Sequence, residues 1–421
     1  MNGSKLICFV GSLVLAVVAG CSGGGTAAVQ PRPAGVFTAS LDAETPLLTA
    51  AQRTALGFAY GPPDGTIGAL ATSNGNYMFF MAANSAASCL GSPTTEGTYR
   101  LGGTLTSISA PYGCTASMSD KSPDPNGYTF DQNYSGGGPV LKITSGGTTG
   151  ILHIYHGEFH AGTCRVGSCF YSSLGMAVSL DGGATFSKLG EVVQPYVTRD
   201  SILSASRDLD VGSGTLVLGD GNGNFVANAA AADPTTLYVY VFYADIDPTL
   251  PAPCDNGPCF AVARAKFSDV IAAAFAKNTA AFPTLFQKFY NGSFSQAGTS
   301  GDANAAMNSG HYSPVVSAAG SFPSVIYDTA TSQWVMVFEQ GNDSVHMRHG
   351  SSLTNWSAVD DAGGSFTNAP NGEIYTTLLG ESGDPNVSNG NPYLVYVKDT
   401  VPWPSWPNAT VTERVVHLSL Q

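Results

Sequence analysis

Ser179-Leu180-Asp181-Gly182-Gly183-Ala184-Thr185-Phe186 is the stretch that decides the fold. Its spacing, S-x-D-x-G-x-T-aromatic, is that of a tight turn between antiparallel strands. The aspartate accepts backbone N–H groups across the hairpin, a glycine takes a conformation closed to other residues, and the aromatic plugs the sheet beneath. Outward from this turn, from about Val36 to the C-terminus, short β-branched and aromatic runs alternate with Gly, Asn, Asp and Ser turns. One segment, Phe267 to Ala280, reads as helix, with Ser268 placed to cap it and Pro283 to close the region behind it.

The runs repeat at a longer period. The first copy has Gly65 to Leu70 and Tyr77 to Ala82; the second Pro139 to Ile143, Ile151 to Tyr155 and Gly175 to Leu180. The third has Thr215 to Leu218, Leu237 to Tyr243 and Phe260 to Ala265; the fourth Pro323 to Tyr327, Trp334 to Phe338 and Ser344 to Arg348. The last has Ile374 to Leu379, Pro392 to Val397 and Val411 to Leu420. Five copies of a three- to four-strand unit predict an all-β, five-bladed β-propeller, or six blades if Val36 to Tyr60 supplies more than a closing strand.

Composition fits a turn-rich β protein with a large core: 50 of 421 residues are glycine, 43% are hydrophobic and only 11% are charged. At the N-terminus, Lys5 precedes an apolar run from Leu6 to Val18 that is too short to span a bilayer, which reads as a signal peptide over residues 1–20. Val18-Ala19-Gly20-Cys21 resembles the lipobox of bacterial lipoproteins, so Cys21 is the expected lipidation site, and residues 21–35 read as a flexible tether to one domain over 36–421. The implied location is the bacterial cell envelope, lipid-anchored at the outer membrane or cell surface. Losing Lys5 leaves a net charge of −14, which argues against a nucleic-acid partner. Cys89, Cys114, Cys164, Cys169, Cys254 and Cys259 would then sit in an oxidising compartment, where an even number implies disulfides. Two C-x4-C spacings make Cys164 with Cys169, Cys254 with Cys259 and, by elimination, Cys89 with Cys114 the simplest of the pairings.

The Ser179–Phe186 turn matches the Asp-box, and Gly350-Ser351-Ser352-Leu353-Thr354-Asn355-Trp356-Ser357 is similar to the S-x-D-L-x-x-W turn of five-bladed glycosidases, with Ser352 in place of the aspartate. Together with Phe289-Tyr290-Asn291-Gly292-Ser293-Phe294 and the five-unit spacing, these motifs make the chain from about Gly61 onward resemble the arabinanase, xylosidase and fructosidase clan of propellers. That resemblance implies carbohydrate as partner, and three carboxylates from three blades at the propeller axis: a base or nucleophile, a pKa tuner and a general acid.

Asp64, in Pro63-Asp64-Gly65-Thr66-Ile67, stands where the clan places its first acid, with Gly65 replacing the clan's proline. Blade two has Gly138 where the second acid is expected, so Glu158 in Tyr155-His156-Gly157-Glu158-Phe159-His160 is its candidate. If that strand continues, His156, Glu158 and His160 share one face and could tune a proton donor, bind a metal or form a polar rim. Asp208 and Asp210 precede the third inner strand and are the next catalytic candidates; Asp245 and Asp247 are expected to face the same rim.

Tyr155, Tyr243, Tyr290, Trp403 and Trp406 are candidate sugar-stacking platforms, and His311 could reach the axis. Gly219-Asp220-Gly221-Asn222-Gly223-Asn224 has a Ca2+-like composition but lacks EF-hand spacing, and such a segment is more often a hairpin loop. The leading expectation is an extracytoplasmic glycoside hydrolase. The alternatives are a non-catalytic glycan-binding lipoprotein, motivated by the absent acids at Gly138 and Phe322, and an interaction propeller. A sialidase is disfavoured because the nine arginines are scattered along the chain.

Overall fold

The computed structural model describes residues 36–56, 63–83, 88–89, 92–93, 97–111, 117–119, 130–160, 169–229, 232–255, 257–302, 307–340, 344–358, 373–398 and 410–420. The expected signal peptide, Cys21 and tether, together with Cys114, Cys164, Trp403, Trp406 and the side chain of Cys89, lie outside them.

Five antiparallel sheets form a five-bladed β-propeller. From the axis outward, blade I holds Gly68–Ala71, Tyr77–Ala83, Gly97–Thr104 and Ser107–Pro111. Blade II holds Val140–Ser145, Thr148–His160, Phe170–Ser179 and Ser187–Val193, with Tyr134–Gly136 pairing the far end of its second strand. Blade III holds Thr215–Asp220, Leu237–Asp245 and Cys259–Lys266, then Gln287–Tyr290 and Ser293–Ala297. Blade IV holds Ser321–Asp328, Gln333–Gln340, Ser344–Ser352 and Asn355–Trp356. Blade V holds Glu373–Leu379, Tyr393–Lys398 and Thr410–Leu420. Its outer strand is Phe37–Leu41, paired from Phe37 with Leu420 to Leu41 with Val416. Residues 36–56 therefore close the fifth blade, with Thr45–Leu48 also pairing Thr410–Leu420, and no sixth blade forms among the described residues.

The middle strands are apolar on both faces because each blade is packed on two sides. In Leu237–Asp245, Val239, Val241 and Tyr243 enter the core shared with blade II, while Tyr240 and Phe242 enter the core shared with blade IV. Trp334, Met336 and Phe338 face blade III, whereas Val335 and Val337 face blade V. Period-two geometry thus distributes one strand between two interfaces, and truncating a ring such as Phe242 to alanine should cost about 3–5 kcal/mol.

Hydrogen bonds join the heads of the inner strands into a ring. Gly138 N–H donates to Thr66 O at 2.9 Å, Thr66 N–H to Ser213 Oγ at 3.1 Å and Thr215 Oγ1 to Pro323 O at 2.6 Å. Leu378 N–H donates to Ser324 Oγ at 2.9 Å, and Ile67 N–H closes the circle on Thr377 Oγ1 at 2.9 Å.

In the Ser179–Phe186 turn, Asp181 Oδ1 accepts the Thr185 N–H at 2.9 Å and the Ser179 hydroxyl at 2.7 Å, while Ser179 Oγ accepts the Gly183 N–H at 2.7 Å. Cys254 and Cys259 form a disulfide, and Cys169 is also disulfide-bonded. The expected helix is shorter than the sequence implies, ending at Phe275, with Lys266 rather than Ser268 at its N-cap. Ser268 lies inside the first turn and bonds Asp269, so it cannot cap. Pro283, expected to close the region behind that helix, instead lies in the first turn of a second short helix at Phe282–Leu285, where its missing N–H is no loss. Ala50–Ala55 and Arg199–Ser204 are short helices with no strong signal in the sequence.

Candidate active site

The axial channel is lined by Thr66, Val140, Thr215, Ser324 and Thr377, one from each blade. Just before the inner strands of blades I and III lie Asp64 and Asp210, both within electrostatic reach of His156 and Glu158. Gly138 shows why blade II carries no acid at the matching place. Its φ is +100°, and a Cβ there would stand 2.2 Å from Ile154 O and 2.9 Å from Ser213 O, so the ring of inner strands excludes any side chain.

Blade II contributes Glu158 instead. Its second strand runs to His160 without a break, which keeps His156, Glu158 and His160 on one face. His156 Nε2 donates to Glu158 Oε1 at 2.9 Å, and its Nδ1 donates to Gly212 O at 3.0 Å. His160 Nε2 bonds Glu158 Oε2. An imidazole that donates from both nitrogens is the imidazolium. Against the cost of burial, Asp210 Oδ1, 3.6 Å from Nδ1, and Glu158 raise the His156 pKa to about 9. Although burial opposes its charge, Glu158 is held down to about 2 by the two histidines. In this trio both Glu158 oxygens are taken up by the two histidines, and the second His156 nitrogen by Gly212 O.

Asp64 differs. It is half-buried; Tyr375 Oη donates to its Oδ1 at 2.7 Å and Tyr134 Oη to its main-chain oxygen at 2.9 Å. Burial, reinforced by the Glu158 charge, overcomes these donors and raises its pKa to about 6. Asp210 is also raised, chiefly by burial, with His156 and the Gly212 N–H, 2.7 Å from its Oδ1, acting the other way. Two carboxylates that titrate upward beside one locked ionised is the arrangement acid–base chemistry needs.

Other expected site residues take structural places. Asp208 is exposed and accepts the Phe170 N–H at 3.0 Å, fastening its loop to blade II. Asp245 is fully buried against Lys288 Nζ at 2.9 Å and accepts the Tyr196 and Ile246 N–H groups. Asp247 is buried under His311. The Asp245 and Asp247 side chains are both fully buried, so neither faces an open rim as the sequence suggested.

Tyr155 and Tyr243 are fully buried between blades and offer no face to a ligand. Tyr290 and Tyr196 instead sandwich His311, with ring centroids 5.5 and 4.3 Å away, at the outer edge of blade III. The Ca2+-like loop is a hairpin: Asp220 Oδ1 accepts the N–H groups of Asn222 and Asn224, and Oδ2 accepts the Asn224 side-chain amide. Tyr134 and Tyr375 carried no signal in the sequence, where each reads as an ordinary strand residue.

No family model and no curated protein matches the chain. Solved structures similar to it include an α-L-arabinofuranosidase from Lactobacillus brevis, 12% identical, with a TM-score of 0.45 over 88% of this chain and 91% of that one. A glycosyl hydrolase from Bacteroides ovatus is 10% identical, TM-score 0.45, over 90% and 93%. A protein of unknown function from Dyadobacter fermentans is 9% identical, TM-score 0.46, over 92% and 100%.

Proposed function

We propose that this chain is a glycoside hydrolase working outside the cytoplasm, with Asp64 as base or nucleophile, Asp210 as general acid and the Glu158–His156 pair as the electrostatic element that separates their proton affinities. The observation that carries the reading is the convergence of carboxylates from three blades on His156, next to the inner strands that line the axial channel. Cleaving a glycosidic bond requires a proton delivered to the leaving oxygen and a carboxylate on the other side of the sugar, and the separation of the two sets the stereochemical outcome. Asp64, near 6, is mostly ionised at neutral pH, as a base or nucleophile must be, and Asp210, raised by burial against the pull of the His156 imidazolium and the Gly212 N–H, is the second carboxyl available to deliver a proton.

Reducing-end release from arabinan, xylan, fructan and bacterial surface glycans tests this on the soluble form from Val36. Hydrolysis that falls about 10²–10⁴-fold in both Asp64→Asn and Asp210→Asn is the expected result. A second reading, a non-catalytic glycan-binding protein, is favoured by the locking of Glu158 between two histidines. Calorimetric binding of a glycan without release of reducing ends would select it. The envelope location belongs to the same proposal: a lipid on Cys21 should be labelled by an alkyne fatty acid in cells and lost in Cys21→Ser, and labelling that survives the substitution would refute it.

A further inference from the structure

The inner strands of blades IV and V share an irregularity at the mouth of the channel. Ser321–Asp328 shifts register between Ser321 and Ser324, and Glu373–Leu379 shifts between Ile374 and Thr377. Inside each shift a bulky residue has a left-handed backbone, Phe322 at φ +49° and Tyr375 at φ +60°. Aromatic residues rarely adopt this conformation, and it persists only where its surroundings over-determine it. Here the Thr376 N–H is held by buried Glu339 Oε1 at 3.1 Å, Thr376 Oγ1 donates to Phe322 O at 3.3 Å, and the Leu378 N–H is held by Ser324 Oγ. The two rings meet edge to face with centroids 4.9 Å apart. The product of these constraints is one hydrogen bond, from Tyr375 Oη to Asp64 Oδ1.

We infer that Tyr375 is a positioning residue, delivered by the paired kinks of blades IV and V to orient the Asp64 carboxylate and set its proton affinity. The inference rests on the proposed role of Asp64. The groups acting on that carboxylate are Tyr375, Tyr134, Glu158 and His156. Burial and the Asp64 charge keep the Tyr375 phenol far above its ordinary range, so throughout the working pH it keeps the proton it donates to the ionised carboxylate. A donor to the ionised carboxylate favours ionisation, so removing the hydroxyl must raise the Asp64 pKa further.

Carboxyl-¹³C aspartate labelling of the chain from Val36, with the Asp64 resonance identified by its loss in Asp64→Asn, reads that pKa without any substrate. Tyr375→Phe keeps the ring, its contact with Phe322 and the backbone kink, and should move the titration upward by about one unit. Phe322→Leu keeps the hydroxyl but removes the ring edge that seats it, and should move it in the same direction by less. If a glycan is hydrolysed, the acid limb of kcat/KM should move with it in Tyr375→Phe, giving about a tenfold loss near pH 5 that recovers near pH 8.5. An Asp64 titration unchanged in both variants, or a loss of activity independent of pH, overturns the inference. Absence of hydrolysis would remove the glycosidase reading while leaving the titration test intact.

Discussion

Glu158 and Asp245 occupy comparable places, near or at the ends of the second strands of blades II and III, yet their surroundings differ. Asp245 has one full positive charge, Lys288, and two backbone donors, and both members of the pair are sealed from solvent. Lys288 Nζ also reaches Ser309, whose hydroxyl turns to the main chain of Gln194 and Pro195, so the pair fixes the loop ahead of His311. Glu158 instead shares its charge with histidines, the titratable cation, and stands beside two carboxylates whose pKa values are raised. Blade III has an ion pair closed to solvent; the axis has a partly exposed cluster of histidines and carboxylates. Acids alone do not make a site: neighbours that leave some of them poised to titrate do.

Opening the Asp245–Lys288 pair should cost the most stability. Asp245→Ala strands a buried ammonium and should cost about 3–5 kcal/mol in denaturant unfolding. Asp245→Asn with Lys288→Met keeps an oxygen for the two N–H groups and should recover most of it. Equal stability of Asp245→Ala and wild type would mean that the pair is not sealed as described.

At the axis, stability should follow pH. The raised His156 pKa contributes stability that is full below about 6.5 and is lost as pH rises through about 9; the depressed Glu158 pKa contributes stability that is full above about 4.5 and is lost as pH falls toward about 2. Wild type should therefore lose about 2–3 kcal/mol between pH 6.5 and 9 that His156→Gln does not lose, measured by urea unfolding across that range. Identical pH profiles would contradict the pairing.

Asp64 has the opposite sign to Glu158. Its raised pKa favours folding while it is protonated, and that advantage disappears as pH rises through about 6. Asp64→Asn should consequently gain about 2 kcal/mol at pH 7.5 and nothing at pH 4, as expected of a group kept for a purpose other than stability. A smaller effect is expected away from both regions: Asp181→Ala removes the acceptor that closes the Ser179–Phe186 turn and should cost about 1 kcal/mol in thermal unfolding, without altering any axial titration.

The blades were legible because each middle strand is buried on both faces, so runs such as Tyr238 to Tyr243 stand out against their glycine and asparagine turns. The extent of the second strand in blade II was not: it runs past Tyr155 through a glycine and alternating polar residues, and pairing with Tyr134–Gly136 on one side and Phe170–Leu174 on the other extends it. Asp64, Glu158 and Asp210 were legible as acids at strand heads and ends. Tyr375 was illegible because a register shift, invisible in a strand-like sequence, decides which way its side chain turns. Tyr155 and Tyr243 misled for a related reason, since an aromatic in a strand between two blades has no open face.

The central claim is that the axial carboxylates perform chemistry while those of blade III hold the frame. Its most direct test is reducing-end release measured side by side for wild type, Asp64→Asn and the Asp245→Asn, Lys288→Met pair on whichever glycan the wild type cleaves. Activity abolished in a folded Asp64→Asn and retained within about threefold in the paired variant is expected. Turnover that survives in Asp64→Asn would contradict it.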